Sequence, residues 1–383
     1  MMNWIKTGCI TALAVAQTFN AISDDSQDSI RIFIGTYTGG SSKGIYTSVL
    51  NYKNGELTPP ELASEITNPS FLAIHPSQKF LYVVNEIGDY QGKKTGAITG
   101  YSIDPATGML TKINDTSSGG DGPCHLVIST NGSFVLAANY GGGSVVVAPI
   151  DAGGRLGDSR AFVQHRGSSV NPDRQKEPHA HSINLSPDQA FAFVADLGLD
   201  KVFSYKFDQV KGTLVENLEG AAYTIPGAGP RHFAFHPSGK FCFVINELNS
   251  TLTALKYAPA KGQLSALRSY STYPDAPKDN STAEVQVHPS GKFVYGSNRV
   301  GDTIAVFKFN ESKGELELLE NAPTLGKIPR NFGIDPSGKF LVAANQESDS
   351  VVVFEIDPDT GLLKPTGSKV SVGKPVCIKF LAR

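Results

Sequence analysis

The chain is poor in the features that mark several large classes of protein. Charged residues are only 18% of its 383 residues, and 34 Lys and Arg stand against 36 Asp and Glu. No surplus of either sign exists to draw a nucleic acid or an anionic membrane surface, so neither is expected as a partner. A single Trp, Trp4, leaves nothing on which to build a Trp-Asp repeat. Four Cys occur without a Cys-x-x-Cys pair and without His at metal-ligand spacing, which argues against a zinc site; no metal or other cofactor is expected. Cys124, Cys242 and Cys377 each lie in an apolar strand-like run, as buried free thiols do.

Long hydrophobic runs are also missing. The N-terminal run from Cys9 to Ala16 follows Lys6 and precedes Asn20-Ala21 and a polar stretch from Ser23, and it is too short to span a bilayer. That order reads as a secretory signal with a small residue near the cut. The expected division is a signal peptide over 1–22, a disordered linker over 23–29 and one folded domain over 30–383. Export predicts a periplasmic or secreted monomer free of the membrane once the signal is removed. A cytoplasmic protein with an extended N-terminus is the alternative.

What the chain does have is turn chemistry and repetition. Gly 39 and Pro 23, with 9% aromatics, suit many short strands joined tightly. Six segments align without gaps: NPSFLAIHPSQKFLYVVNE, GPCHLVISTNGSFVLAANY, PHAHSINLSPDQAFAFVADL, GPRHFAFHPSGKFCFVINE, TAEVQVHPSGKFVYGSNR and IPRNFGIDPSGKFLVAANQ. Their turns start at His75, Ser129, Ser186, His236, His288 and Asp335, at intervals of 54, 57, 50, 52 and 47 residues. Such an interval fits one four-stranded blade. The C-terminal GKPVCIKFLAR matches only a first strand, and the N-terminal IRIFIGTY and GIYTSVL match a second and third. An all-β, seven-bladed β-propeller of four-stranded blades follows, its last blade closed by both chain ends.

The repeat also places side chains at one channel mouth, where each first strand begins and each second strand ends. The strand ends carry Asn85, Asn139, Asp196, Asn246, Asn298 and Asn345, a recurrence that points to a structural role at local backbone. The residues beside them vary, and so do those at the strand starts. These variable positions supply His181, Arg231, Glu247, Arg299 and Arg330, with Glu86, His125, His232, Asn331 and Gln346, and His179 lies two residues before His181. Arginines there suit a carboxylate or phosphate. Glu247 is placed to act as a base, and His179, His181 or His232 to share proton transfer. An Arg–Glu lattice that merely plugs the channel is the competing interpretation. The polar insertion from Arg166 to His181 accounts for the longest interval and reads as a solvated loop or a lid.

The stretches VNPDRQKEPHAHSINLSPD, GAGPRHFAFHPSGKFCFVINELNS, HPSGKFVYGSNR and PRNFGIDPSGKFLVAANQ resemble the seven-bladed propeller lactonases, a family that includes bacterial 6-phosphogluconolactonases and fungal carboxy-cis,cis-muconate lactonising enzymes. The resemblance runs over nearly the whole chain after residue 30. It implies a metal-free site made of one His, two Arg and one Glu, which map onto His181, Arg231, Glu247 and Arg299. His179, His232, Arg330, Asn331, Gln346, Glu86 and His125 would then contact substrate. The expected reaction is hydrolysis of an anionic or sugar lactone, foremost 6-phosphoglucono-1,5-lactone. A carboxymuconate-type cycloisomerase and a non-catalytic ligand-binding propeller are the alternatives.

Overall fold

The computed structural model describes residues 28–382, apart from 276 and 278, together with Met1. The expected signal peptide lies outside the described residues that belong to the fold. Inner strands Pro69–Ile74, Pro123–Ile128, Ala180–Leu185, Pro230–Phe235, Thr282–Val287 and Pro329–Ile334 open six sheets, here blades 1 to 6. In each, the following strands pair antiparallel and outward in chain order. Blade 7 takes its inner strand from the C-terminus, Pro375–Leu381, and its second from the N-terminus, Ser29–Thr36. Gly44–Asn51 and Glu61–Glu65 complete it. The seven four-stranded blades and the closure by both chain ends are thus as expected. Blade 3 adds one short strand, Ala222–Tyr223, beside its third.

The second strands, such as Phe134–Asn139 and Phe241–Asn246, are apolar on both faces because each blade is packed between two others. Phe243, Ile245, Leu252, Val285, Val294 and Phe307, for example, fill the space between blades 4 and 5. The core is therefore a ring of inter-blade layers, and pairing the two chain ends leaves no open gap in it.

The repeated turns fasten neighbouring blades. His75, His236 and His288 each hold a turn serine through Nδ1, at 2.8, 2.8 and 2.7 Å. Their Nε2 atoms meet the carbonyls of Gly132, Gly291 and Gly338 in the next blade, at 3.0, 2.9 and 2.8 Å. Those glycines have positive φ, and a Cβ on any of them would lie 2.3 to 2.6 Å from the histidine ring. Glycine is required there on both counts. These three histidines are structural.

One departure from regular pairing recurs in every blade and positions the site. Pairing slips by one residue near the start of each inner strand, so two residues face one on the second strand. The extra residue is Ser70, Cys124, His181, Arg231, Arg330 and, in blade 7, Val376; in blade 5, Ala283 and Glu284 share the bulge. Such a bulge turns a side chain out of the sheet's alternation. Here it turns those side chains toward the channel axis.

Candidate active site

The bulge residues Ser70, Cys124, His181, Arg231, Arg330 and Val376 line one small cavity of about 10 Å³ with Tyr37, Phe71, Glu86 and His232, room for about one water molecule. The recurring strand-end residues stay out of it. Asn85, Asn139 and Asn345 donate to the carbonyls of Thr67, Ser118 and Thr324 at 2.9, 3.0 and 3.1 Å. Asp196 accepts from the backbone N–H of His179 at 2.8 Å and of Gly198 at 3.0 Å. Asn298 likewise reaches the Thr272 carbonyl, so five of the six serve local backbone, while Asn246 donates to the Thr251 and Thr253 hydroxyls, both at 2.8 Å.

Glu247 is the centre of the charge lattice. Arg174 and Arg299 donate to its Oε1 at 2.7 and 3.1 Å, and Arg231 Nε donates to its Oε2 at 3.0 Å. Glu247 is only 3% exposed. Burial alone would raise its pKa, but Arg299, Arg231 and Arg174 outweigh that and hold it at about 2. Arg231, equally buried, also donates through Nη1 to the Ala283 carbonyl at 2.7 Å. Burial, then repulsion from Arg330, lowers its pKa to about 10, so it stays charged at neutral pH.

A second group stands across the cavity. Arg330 Nη2 donates to the Tyr37 hydroxyl at 2.9 Å, with the guanidinium carbon 5.3 Å from the ring centroid. That hydroxyl in turn donates to the Glu86 carboxylate, 2.9 Å from both oxygens.

The histidines occupy different levels. His181 Nε2 lies 3.9 Å from Glu247 Oε2, and its Nδ1 rests 3.6 Å from the Cys124 sulfur. His179 stacks on Tyr140 at 4.4 Å between centroids and meets the Tyr140 carbonyl through Nδ1 at 3.0 Å. Deeper in the channel, His232 contacts the rings of Phe71, His125 and His181, at 5.6, 5.2 and 5.4 Å. Burial first, and Arg231 among the nearby charges, pushes His125, His181 and His232 well below the usual imidazole range, so all three are neutral at pH 7.

The structure therefore brings together His181, Arg231, Glu247 and Arg299, with Arg330 and Glu86 across the cavity, His179 near the rim and His232 at the floor. It does not bring Asn331 and Gln346 to the arginines. Asn331 donates to the Glu284 carboxylate and accepts from the Ile378 N–H at 2.8 Å. Gln346 turns its Nε2 to Glu347 at 2.6 Å. His125 lies below the cavity, 4.2 Å from Phe71.

Arg174 and Tyr37 complete the arrangement without having been singled out in the sequence. Arg174 comes from the insertion, which is anchored rather than loose. Buried Gln175 donates to the Leu197 carbonyl at 2.8 Å, and Ser169 donates to Asp200 at 2.6 Å. From that anchor Arg174 reaches Glu247 and also the Tyr140 hydroxyl, at 3.0 Å, while 42% of its side chain remains exposed. Tyr37 follows Thr36, which pairs with Pro375 as Asn85 pairs with Pro69. Carrying the repeat register into the split blade would have found it.

Two features distinguish the mouth from a charge-balanced, fully hydrogen-bonded lattice. Four guanidiniums, Arg174, Arg231, Arg299 and Arg330, face two carboxylates, Glu86 and Glu247, leaving two positive charges unmatched at the mouth (4 − 2 = 2). Arg299 Nε, Ser70 Oγ and His232 Nε2 are buried without a hydrogen-bond partner. Buried polar groups without a partner are few in native proteins, and a bound water, an ion or a catalytic role accounts for most of them. Among the described residues, no three His, Cys, Asp or Glu side chains stand close enough to hold a metal ion.

Fold and site together define a propeller with a cluster of arginines and carboxylates at one channel mouth. Residues 31–380 match the family described as Lactonase, 7-bladed beta-propeller. The chain is 39% identical over 350 residues to the 6-phosphogluconolactonase of Bacillus subtilis (strain 168), covering 91% of this chain and 97% of that one. It is 36% identical over 308 residues to the 6-phosphogluconolactonase of Formosa agariphila, covering 79% and 86%. The solved structure of the periplasmic gluconolactonase of Pseudomonas aeruginosa matches with a TM-score of 0.86 at 32% identity, covering 92% of this chain and 99% of that one. The chain belongs to the seven-bladed β-propeller lactonase family, and it is a carboxylic ester hydrolase of the lactonase type.

Proposed function

We propose that this enzyme hydrolyses a sugar lactone bearing an anionic group, with 6-phosphoglucono-1,5-lactone as the leading substrate. The observation that carries the proposal is the pair of unmatched positive charges in the mouth, which suits a phosphate monoester of charge about −1.5 to −2 at neutral pH. The names of the Bacillus and Formosa relatives support the phosphorylated substrate. That of the Pseudomonas structure supports an unphosphorylated sugar lactone and a periplasmic location. A periplasmic or secreted location accords with the signal-like N-terminus.

In this mechanism Arg174 and Arg330 hold the substrate anion at the rim, and Arg231 and Arg299 face the ring carbonyl. Water attacks that carbonyl carbon while a base takes its proton; the guanidiniums stabilise the tetrahedral oxyanion; the ring C–O bond breaks and the proton passes to the leaving oxygen. Glu247 anchors the arginines. At a pKa of about 2, with both oxygens occupied, it is a poor proton acceptor. The base is then one of the neutral imidazoles that line the cavity, His181 or His232.

Arg174→Ala tests the clamp. It removes one half-exposed charge-assisted contact, worth about 1.5 kcal/mol or roughly tenfold in affinity. KM for the phosphorylated lactone should rise by about that factor, with kcat little changed. KM for plain glucono-1,5-lactone should hardly move. Equal changes for both substrates would show that Arg174 does not read the phosphate.

A further inference from the structure

Below the arginines the channel holds a carboxyl–imidazole pair, His232 and Glu284, whose carboxyl has no part in the mechanism so far. His232 Nδ1 lies 3.1 Å from Glu284 Oε2. The same oxygen accepts from Asn331, and Glu284 Oε1 accepts from the N–H of Val285 at 3.0 Å. Glu284 is therefore fixed from three sides. On the other side of the imidazole, His232 Nε2 has no partner and is buried, although His232 lines the cavity. The other two deep histidines are engaged differently. His181 Nδ1 faces a thiol, and the carboxylate nearest its Nε2 belongs to Glu247, 3.9 Å away and claimed by three arginines. His125 Nδ1 receives the Ile183 N–H at 3.4 Å.

An imidazole that accepts a proton beside Arg231 and Arg330 must carry a new positive charge among existing ones. Of the three, only His232 has a carboxylate at hydrogen-bond distance to offset it. We infer that Glu284 is a positioning residue for acid–base chemistry at His232, holding the Nδ1–H tautomer and presenting a bare Nε2 to the attacking water. This rests on the hydrolase reading above. The water's proton moves to His232 Nε2 as its oxygen bonds the lactone carbonyl carbon. The same proton then leaves Nε2 for the ring oxygen as the C–O bond breaks, so nothing is consumed but water.

The pair also sets a pH dependence. Burial raises the Glu284 pKa, Lys379 and Arg231 pull it down, and it settles at about 7. The groups that face it are His232 and Arg231 from blade 4, Asn331 from blade 6 and Lys379 from blade 7. Only ionised Glu284 can balance a protonated His232, so kcat should rise with pH through about 7. Stability runs the other way. A group whose pKa is raised by folding contributes stability at low pH and loses it as pH passes the folded value. The stability Glu284 contributes is therefore full below about pH 4.5, is lost between there and about pH 7, and is absent above.

Glu284→Gln keeps the shape and removes the charge. The expected result is a fall in kcat of about a hundredfold or more, KM within a few-fold of wild type, and loss of the limb near pH 7. Melting should match wild type below about pH 4.5 and exceed it at pH 8 while kcat falls, an opposition that a purely structural role would not give. Nitrogen-15 spectra of labelled histidine read the His232 tautomer without turnover. They should show Nδ1–H in the wild-type protein and a changed resonance in Glu284→Gln. Retention of kcat within threefold with an unchanged pH profile would overturn the role of Glu284 and leave the hydrolase standing. Failure of the wild-type protein to open any lactone would overturn the hydrolase reading, and the role of Glu284 with it.

Discussion

Glu247→Gln is expected to lower kcat/KM by about a thousandfold and to cost roughly 3–5 kcal/mol of stability at neutral pH. The carboxylate accepts from three guanidiniums with two oxygens, and a glutamine offers only one acceptor. Its amide N–H groups would face an arginine, donor to donor. Arg231, buried with Glu247, would keep only the Ala283 carbonyl. Removing one partner of a buried pair leaves an uncompensated charge, which is why the loss is large. Activity falls because Arg231 and Arg299 lose the anchor that aims them.

The pH dependence of the same substitution is equally specific. Folding depresses the Glu247 pKa from an ordinary 4.5 to about 2. A depressed carboxylate contributes stability above its unfolded pKa and loses it as pH falls through its folded value. The gap between wild type and Glu247→Gln should therefore be widest at neutral pH and close between about pH 4.5 and 2. Denaturant titrations at several pH values measure it. A gap constant with pH would show that the arginines do not depress Glu247.

Arg231→Ala should bring a comparable fall in kcat/KM, about a hundredfold to a thousandfold, expressed in kcat rather than KM. Arg231 is the most enclosed cation of the cluster, and its side chain crosses from blade 4 to the blade 5 backbone. Stability should suffer less than in Glu247→Gln, because Arg174 and Arg299 still hold the carboxylate. Arg231→Lys should recover only part of the loss, since a lysine keeps the charge but not the fork that reaches Glu247 and Ala283 together. If the lattice were only a channel plug, folded Arg231→Ala would retain wild-type turnover.

The two substitutions bear on how much of the site could be read from the residues alone. The repeat register put Arg231, Glu247 and Arg299 at one mouth because each inner strand begins and each second strand ends there. It could not foresee the bulge that turns Ser70, Cys124, His181 and Arg231 to the axis, since an extra residue on one strand leaves no mark in a six-fold alignment without gaps. Arg174 escaped because an insertion has no place in the repeat, and its reach depends on the Gln175 anchor. Glu247 read as a base from its residue type; the three guanidiniums that converge on it and lower its pKa had no mark in the sequence. Asn331 occupies the same relative position as His232, but Glu284 and the Ile378 N–H take up its amide. The recurring asparagines and the His-Pro-Ser turns were legible in full, because repetition in every blade or nearly so is itself the sign of a structural duty.

The central claim is that the unmatched charges of the mouth serve to open an anionic sugar lactone. The most direct measurement is the initial rate of acid release when the wild-type enzyme meets fresh 6-phosphoglucono-1,5-lactone or glucono-1,5-lactone, each corrected for spontaneous opening in buffer. The structure predicts acceleration with a kcat/KM at least about tenfold higher for the phosphorylated lactone, the equivalent of one charge-assisted contact. Rates indistinguishable from buffer with both lactones would contradict the account; equal rates with both would contradict its assignment of the anion clamp.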